Sequence, residues 1–180
     1  MLQLIESSSV LAVSLKRVKE YLRIDHDEED DFLQELIQTA TALVEQDLGR
    51  SLLNKVWKKK ISGACLRSGA LNIALPFPPL LKVIAVNALD KGGKTKPVLR
   101  YIIELEHAIP EITLSTNAHA VEVIYQAGYG ERASDVPANL SLAVLLVVAN
   151  LYEDREGEGG GPLAPKIQAI LKPYRIERLI

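Results

Sequence analysis

The chain has 180 residues, 48% of them apolar and 24% charged, and a net charge of -2 from 21 basic and 23 acidic side chains. That size suits one domain with a sizeable core, the apolar content excludes a disordered chain, and the near-balance of charge excludes a global field that would hold nucleic acid. One cysteine, Cys65, excludes an intramolecular disulfide and a cysteine metal cluster, which fits a reducing cytoplasm.

In chain order, Met1 to Glu6 lacks the basic and long apolar regions of a signal peptide. Ser14 is placed to cap a short helix in which Leu15, Val18, Tyr21 and Leu22 recur at helical spacing. A second helix follows, with Asp27 as its expected N-cap, acidic residues 28–31 at the positive end of its dipole, and Gly49 as its stop. Its stripe of Phe32, Leu33, Leu36, Ile37, Ala40, Leu43, Val44 and Leu48 runs over about five turns and is the expected partner of the first helix.

From Leu52 to Tyr129 the period becomes alternating. Strands are expected around Val56–Ile61, Leu71–Leu75, Leu81–Leu89, Tyr101–Leu105, Ile112–Leu114 and Val121–Ala127, forming a small, mostly antiparallel sheet. Pro76-Phe77-Pro78-Pro79 is a stiff link that cannot continue a ladder, and Asp90-Lys91-Gly92-Gly93 is a turn.

Asp135 is the expected cap of the next helix, with Pro137 in its first turn. Leu140 to Leu151 leaves hardly any polar face, so this helix is buried all round, in a core or between subunits. It is shorter than the roughly 20 residues that span a bilayer, and no membrane partner is expected. Residues 156–162 are glycine-rich and read as a flexible linker. Pro165–Leu171 then forms a short helix ahead of a tail, 173–180, with four large apolar residues. A tether before such a tail is suited to reaching a neighbour.

Candidate chemistry is sparse. The cluster Asp25, Asp27, Glu28, Glu29, Asp30 and Asp31 with His26 lacks the glycine of a calcium loop and reads as a dipole-compensated helix start. His26, His107 and His119 are far apart and form no HExxH arrangement. No Gly-x-Ser-x-Gly elbow occurs, and Gly128-Tyr129-Gly130 is a turn rather than a phosphate loop. No catalytic residue, metal ligand or cofactor is expected. Lys55, Lys58, Lys59 and Lys60, with Trp57 among them, form the one basic patch; they suit a nucleic-acid backbone or the protection of an edge strand.

Several strings in this order resemble the phage head-tail connector (head-completion adaptor) family. They are Ser14-Leu15 to Asp30, the helix to Gly49-Arg50, Trp57, Leu75-Pro76-Phe77-Pro78-Pro79-Leu80, Gln126-Ala127-Gly128-Tyr129-Gly130, Val136-Pro137, Tyr152-Glu153-Asp154-Arg155-Glu156 and Leu171-Lys172-Pro173-Tyr174-Arg175. One departure is Asn117-Ala118-His119-Ala120, where the family would place a tryptophan-proline pair.

The resemblance implies an α+β fold in a single connector domain spanning 1–180. Helices from 12–50 and 135–173 would form a small bundle, with a β lobe at 52–130 inserted between them. It implies a structural, non-enzymatic virion protein at the head-tail junction, assembled in the host cytoplasm. Such a protein forms a ring of about a dozen copies below the portal, extends the DNA channel without binding DNA specifically, and carries the tail or a stopper protein. Pro173, Tyr174, Arg175, Ile176, Leu179 and Ile180 are the residues expected at the portal. The alternative is a DNA-binding or packaging accessory protein that uses the four lysines.

Overall fold

A computed structural model describes residues 1–62, 70–154, 161 and 163–176. The chain divides into two compact units: a sheet unit of Met1–Ser7 with Asn54–Gly128, and a helical unit of Ser8–Leu53 with Tyr129–Ile180. The expected α+β class, with terminal helices and an inserted antiparallel lobe, is observed.

In the helical unit, α1 (Leu15–Leu22) starts as expected, with the Ser14 hydroxyl accepting the Arg17 N–H. Arg23 ends it in the left-handed region. Helix α2 (Asp30–Leu48) begins later than expected, and Asp27 is not its cap. Lys19 draws the Asp27 carboxylate away, bonding it and Asp30 (2.8 Å to the latter), so the charge pair links α1 to the α2 start. Gly49, at φ 68°, closes α2, its N–H returning to the Glu45 carbonyl.

Helix α3 (Ala138–Glu153) is also uncapped by Asp135. That carboxylate instead accepts the Arg132 N–H across the short 3₁₀ turn Ala133–Asp135, and Pro137 stands at the N-cap position. A Cβ at Gly130 would come within 2.4 Å of Asp135, so the turn requires glycine there.

Leu33, Ile37, Ala40, Val44 and Leu48 of α2 pack with Leu140, Ala143, Val144, Val147 and Val148 of α3. They are joined by Ile167 and Leu171 of α4 (Pro165–Leu171). The apolar girth of α3 is therefore consumed largely by its own unit, the core reading of the two left open by the sequence. Leu142 remains partly exposed.

The sheet unit has two antiparallel sheets where one was expected. The larger, in order β1-β2-β8-β4-β5, comprises β1 (Leu2–Ser7), β2 (Lys55–Ser62), β8 (Ala120–Ala127), β4 (Leu80–Leu89) and β5 (Thr95–Pro97). The smaller, in order β3-β7-β6, comprises β3 (Ala70–Ala74), β7 (Glu111–Ser115) and β6 (Ile102–Glu104).

Val121, Val123, Tyr125 and Ala127 line one face of β8 and meet Leu71, Ile73, Ile112 and Leu114 of the smaller sheet, a two-layer core that follows from the period-2 alternation. The Tyr125 hydroxyl donates to the Pro76 carbonyl (2.8 Å), and burial pushes its phenol up. Trp57 stacks on Phe77 with ring centroids 4.5 Å apart.

Strands β1 and β5 were not anticipated. β1 pairs with β2, so the lysine-bearing strand lies inside the sheet, and its lysines do not protect an edge.

Candidate assembly surfaces

The tail segment expected at the portal begins as part of the helical unit. The 3₁₀ turn Lys172–Tyr174 follows α4 directly, and three contacts hold what comes next against the α2 C-terminus. Arg50 Nε donates to the Tyr174 carbonyl (2.6 Å), Arg175 binds Asp47 with both carboxylate oxygens (2.8 Å each from Nη2), and the Ile176 N–H donates to the Leu48 carbonyl (3.1 Å). A planar guanidinium on a carboxylate fixes direction as well as position. Pro173, Tyr174, Arg175 and Ile176 thus form an anchored strap. Leu179 and Ile180 lie outside the described residues, as do Cys65 and nearly all of the expected linker 156–162.

The four lysines do not share a surface. Strand alternation puts Lys58 and Lys60 on the outer face of the larger sheet, where Lys58 pairs with Glu122 (3.6 Å). Lys55 and Lys59 take the face toward the smaller sheet. Lys59 Nζ donates to the Ala74 carbonyl (2.6 Å); burial lowers its pKa while Glu111 pulls the other way. Two charges per face, one of them spent on Glu122 and another on Ala74, make a weak track for phosphates.

Three carboxylates of the acidic cluster are spent locally: Asp27 and Asp30 hold Lys19, which keeps Asp27 below the ordinary carboxylate value, and Glu29 accepts the Tyr152 hydroxyl (2.7 Å). Among the described residues no three His, Cys, Asp or Glu side chains are grouped to hold a metal ion. An open groove of about 1090 Å³ lies along the β4–β5 hairpin, with Lys91, Lys94, Lys96 and His119 on its walls. Its one carboxylate, Asp90, is bonded to the Lys94 N–H of the turn, so no acid–base pair converges there. No helix among the described residues is long and apolar enough to cross a membrane.

Sequence reasoning missed a different surface. Leu99, Ile102, Ile103 and Leu105, on and beside β6, are exposed, and so are Leu4 and Ile5 of β1. The signal available was a row of large apolar residues in two short segments.

Residues 12–87 match the sequence model of the phage gp6-like head-tail connector family, a span that covers α1, α2, β2, β3 and most of β4. The head-tail connector resemblance read from the sequence is therefore shown by a match that begins at Ala12, just ahead of the Ser14 cap. No curated protein sequence matches the chain.

Three solved chains share the fold over all of this chain and 97% of their own length, each at 24% identity. One comes from the neck of an empty gene transfer agent particle computed with sixfold symmetry (TM-score 0.84). Another is from the virion of a native gene transfer agent particle (0.82), and the third from the neck of a native particle computed with twelvefold symmetry (0.80).

Proposed function

We propose that this protein is a structural virion component that forms a ring at the head-tail junction. The ring lies below the portal, continues the DNA channel and offers the platform on which a tail or stopper protein docks. The observation that carries this reading is the end-to-end fold likeness to chains of symmetric particle necks, joined to the connector-family match over the N-terminal helices.

A symmetric neck implies many copies in one orientation. A closed ring needs two different surfaces on each copy, and about a dozen copies is the number the twelvefold relative suggests. The near-neutral charge suits a channel wall, because a strongly basic one would hold the moving phosphate backbone. Neither a cofactor nor catalysis is part of this role, and assembly takes place in the host cytoplasm before the particle is complete.

The strap of Pro173 to Ile176 supports a portal contact of a particular kind. Its anchoring on Asp47, Leu48 and Arg50 seats the segment up to Ile176 on the α2 C-terminus, just ahead in sequence of Leu179 and Ile180. A partner that binds this strap meets a segment already held in place. The DNA-binding alternative needs Lys55, Lys58, Lys59 and Lys60 on one surface, and strand alternation divides them between two.

Light scattering on the purified protein, alone and mixed with portal from the same particle, tests the role. A ring or a portal-bound complex is expected; a strict monomer that never binds portal contradicts it.

A further inference from the structure

We propose that neighbouring copies of this chain join through two open sheet edges, β6 of one copy pairing antiparallel with β1 of the next. This rests on the ring reading above and names the surfaces that would build it.

The edges differ in how they are protected. β5 carries Lys96, follows Lys94 and ends on Pro97, which has no N–H to offer, so that edge is blunted in the usual way. β6 is as short as β5 and carries Glu104, but it has no proline and its apolar residues stay in solvent: Leu99 is 87% exposed, Ile102 and Leu105 64% each, and Ile103 40%. β1 likewise exposes Leu4 (42%) and Ile5 (48%), with a register shift at Ile5. Two apolar sheet edges of this kind are suited to pairing with a strand of another chain.

Their placement fits a head-to-tail contact. Lys59 of β2 reaches the Ala74 carbonyl, so β3 lies over the β2 side of the larger sheet. The Val98 N–H donates to the Val86 carbonyl of β4 (2.8 Å), the next rung of the β4–β5 ladder, and Val98 and Tyr101 pack on the core, so the segment leading into β6 starts from the β4–β5 side. With strand orders β1-β2-β8-β4-β5 and β3-β7-β6, β1 and β6 edge opposite flanks of the two-layer unit. Two unlike surfaces on opposite flanks generate a ring or an open filament, and a closed ring leaves neither edge free.

The chemistry of the two segments selects the occupant and the direction. In an antiparallel alignment Leu2 faces Leu105, Leu4 faces Ile103 and Ile5 faces Ile102, an apolar row of cross-strand pairs. At one end Glu106 faces Met1, with Lys60 one strand further in and bonded through its N–H to the Met1 carbonyl; at the other Glu6 faces Tyr101, next in sequence to Arg100. A parallel alignment sets Glu6 against Glu106 and Leu4 against Glu104, placing like charges together. The two edges are complementary to each other, which makes a second copy the partner.

Two cysteine substitutions, Leu4→Cys and Ile103→Cys, made together in full-length Cys65→Ser protein, test the pairing. After oxidation the double variant should run as a reducible ladder of covalent multimers, while either single variant stays monomeric. A ring that assembles with no such ladder overturns the edge pairing and leaves the ring reading intact. Dimers from a single variant overturn it too, by showing a two-fold contact. If neither assembly nor cross-linking occurs, with or without portal, both readings fall together.

Ile103→Lys gives an independent measure, because the side chain is already half in solvent. It should keep the wild-type melting temperature yet raise the concentration needed for assembly about tenfold or more. Unchanged assembly would overturn the proposal.

Discussion

The helical unit and the sheet unit spend their apolar residues differently. In the helical unit the most hydrophobic segment of the chain, α3, is covered by α2 and α4, and the caps, the Lys19 pair and the Arg175–Asp47 contact finish its surface. In the sheet unit the two-layer core is closed by β8, β3 and β7, yet Leu99, Ile102, Ile103 and Leu105 stay in solvent beside it. Hydrophobicity along a sequence therefore does not say where a protein is adhesive. The strongest apolar run is internal, and the surface proposed to be adhesive is a modest tripeptide and its neighbours at a sheet margin.

The contrast yields separable outcomes. The largest effect is expected for Leu140→Ala in α3, where a fully buried side chain is removed. Stability of the helical unit should fall by about 2–5 kcal/mol, read from denaturant midpoints. Glu45→Ala comes next. This carboxylate is buried and accepts the Leu52 N–H (2.8 Å), so its removal strands a donor and should cost about 1–3 kcal/mol by the same measurement.

Ser14→Ala removes the α1 cap and should cost about 1 kcal/mol. In the sheet unit, Tyr125→Phe deletes the bond to the Pro76 carbonyl and should cost about 0.5–1.5 kcal/mol. None of these four should shift the assembly concentration once the variant is folded. If one does, the division between internal and adhesive apolar surface is wrong.

The smallest effect concerns acid. Asp27 has its pKa held below its ordinary 3.8 by Lys19, so its contribution is present above that value and is lost as pH falls through the lower, folded value. Melting temperature should be level from neutral pH down to about pH 4 and decline below it. Asp27→Asn should flatten part of that decline.

Much of the helical unit was legible because its rules are local. Ser14 and Gly49 mark ends by satisfying nearby backbone groups, and the spacing of Leu33, Ile37, Ala40, Val44 and Leu48 reports a face directly. The expected caps at Asp27 and Asp135 failed for a physical reason. A carboxylate near a helix start chooses among donors, and a lysine one helix away, or the backbone of a preceding turn, was the better one.

The sheet unit was harder because pairing is non-local. Residues 2–7 are too short and too lightly patterned to announce a strand, and only their pairing with 55–59 makes them one. That single omission turned an interior strand into a supposed edge, while reading Lys55 to Lys60 as one patch overlooked the alternation within β2 that disperses them. It also concealed the β1 edge itself, while the division into two sheets concealed that of β6.

Imaging the particle's neck by electron microscopy tests the central claim most directly. A ring of this chain below the portal is expected, with β1 of each copy against β6 of the next. Finding the chain outside the neck, or in single copies with both sheet edges in solvent, would contradict it.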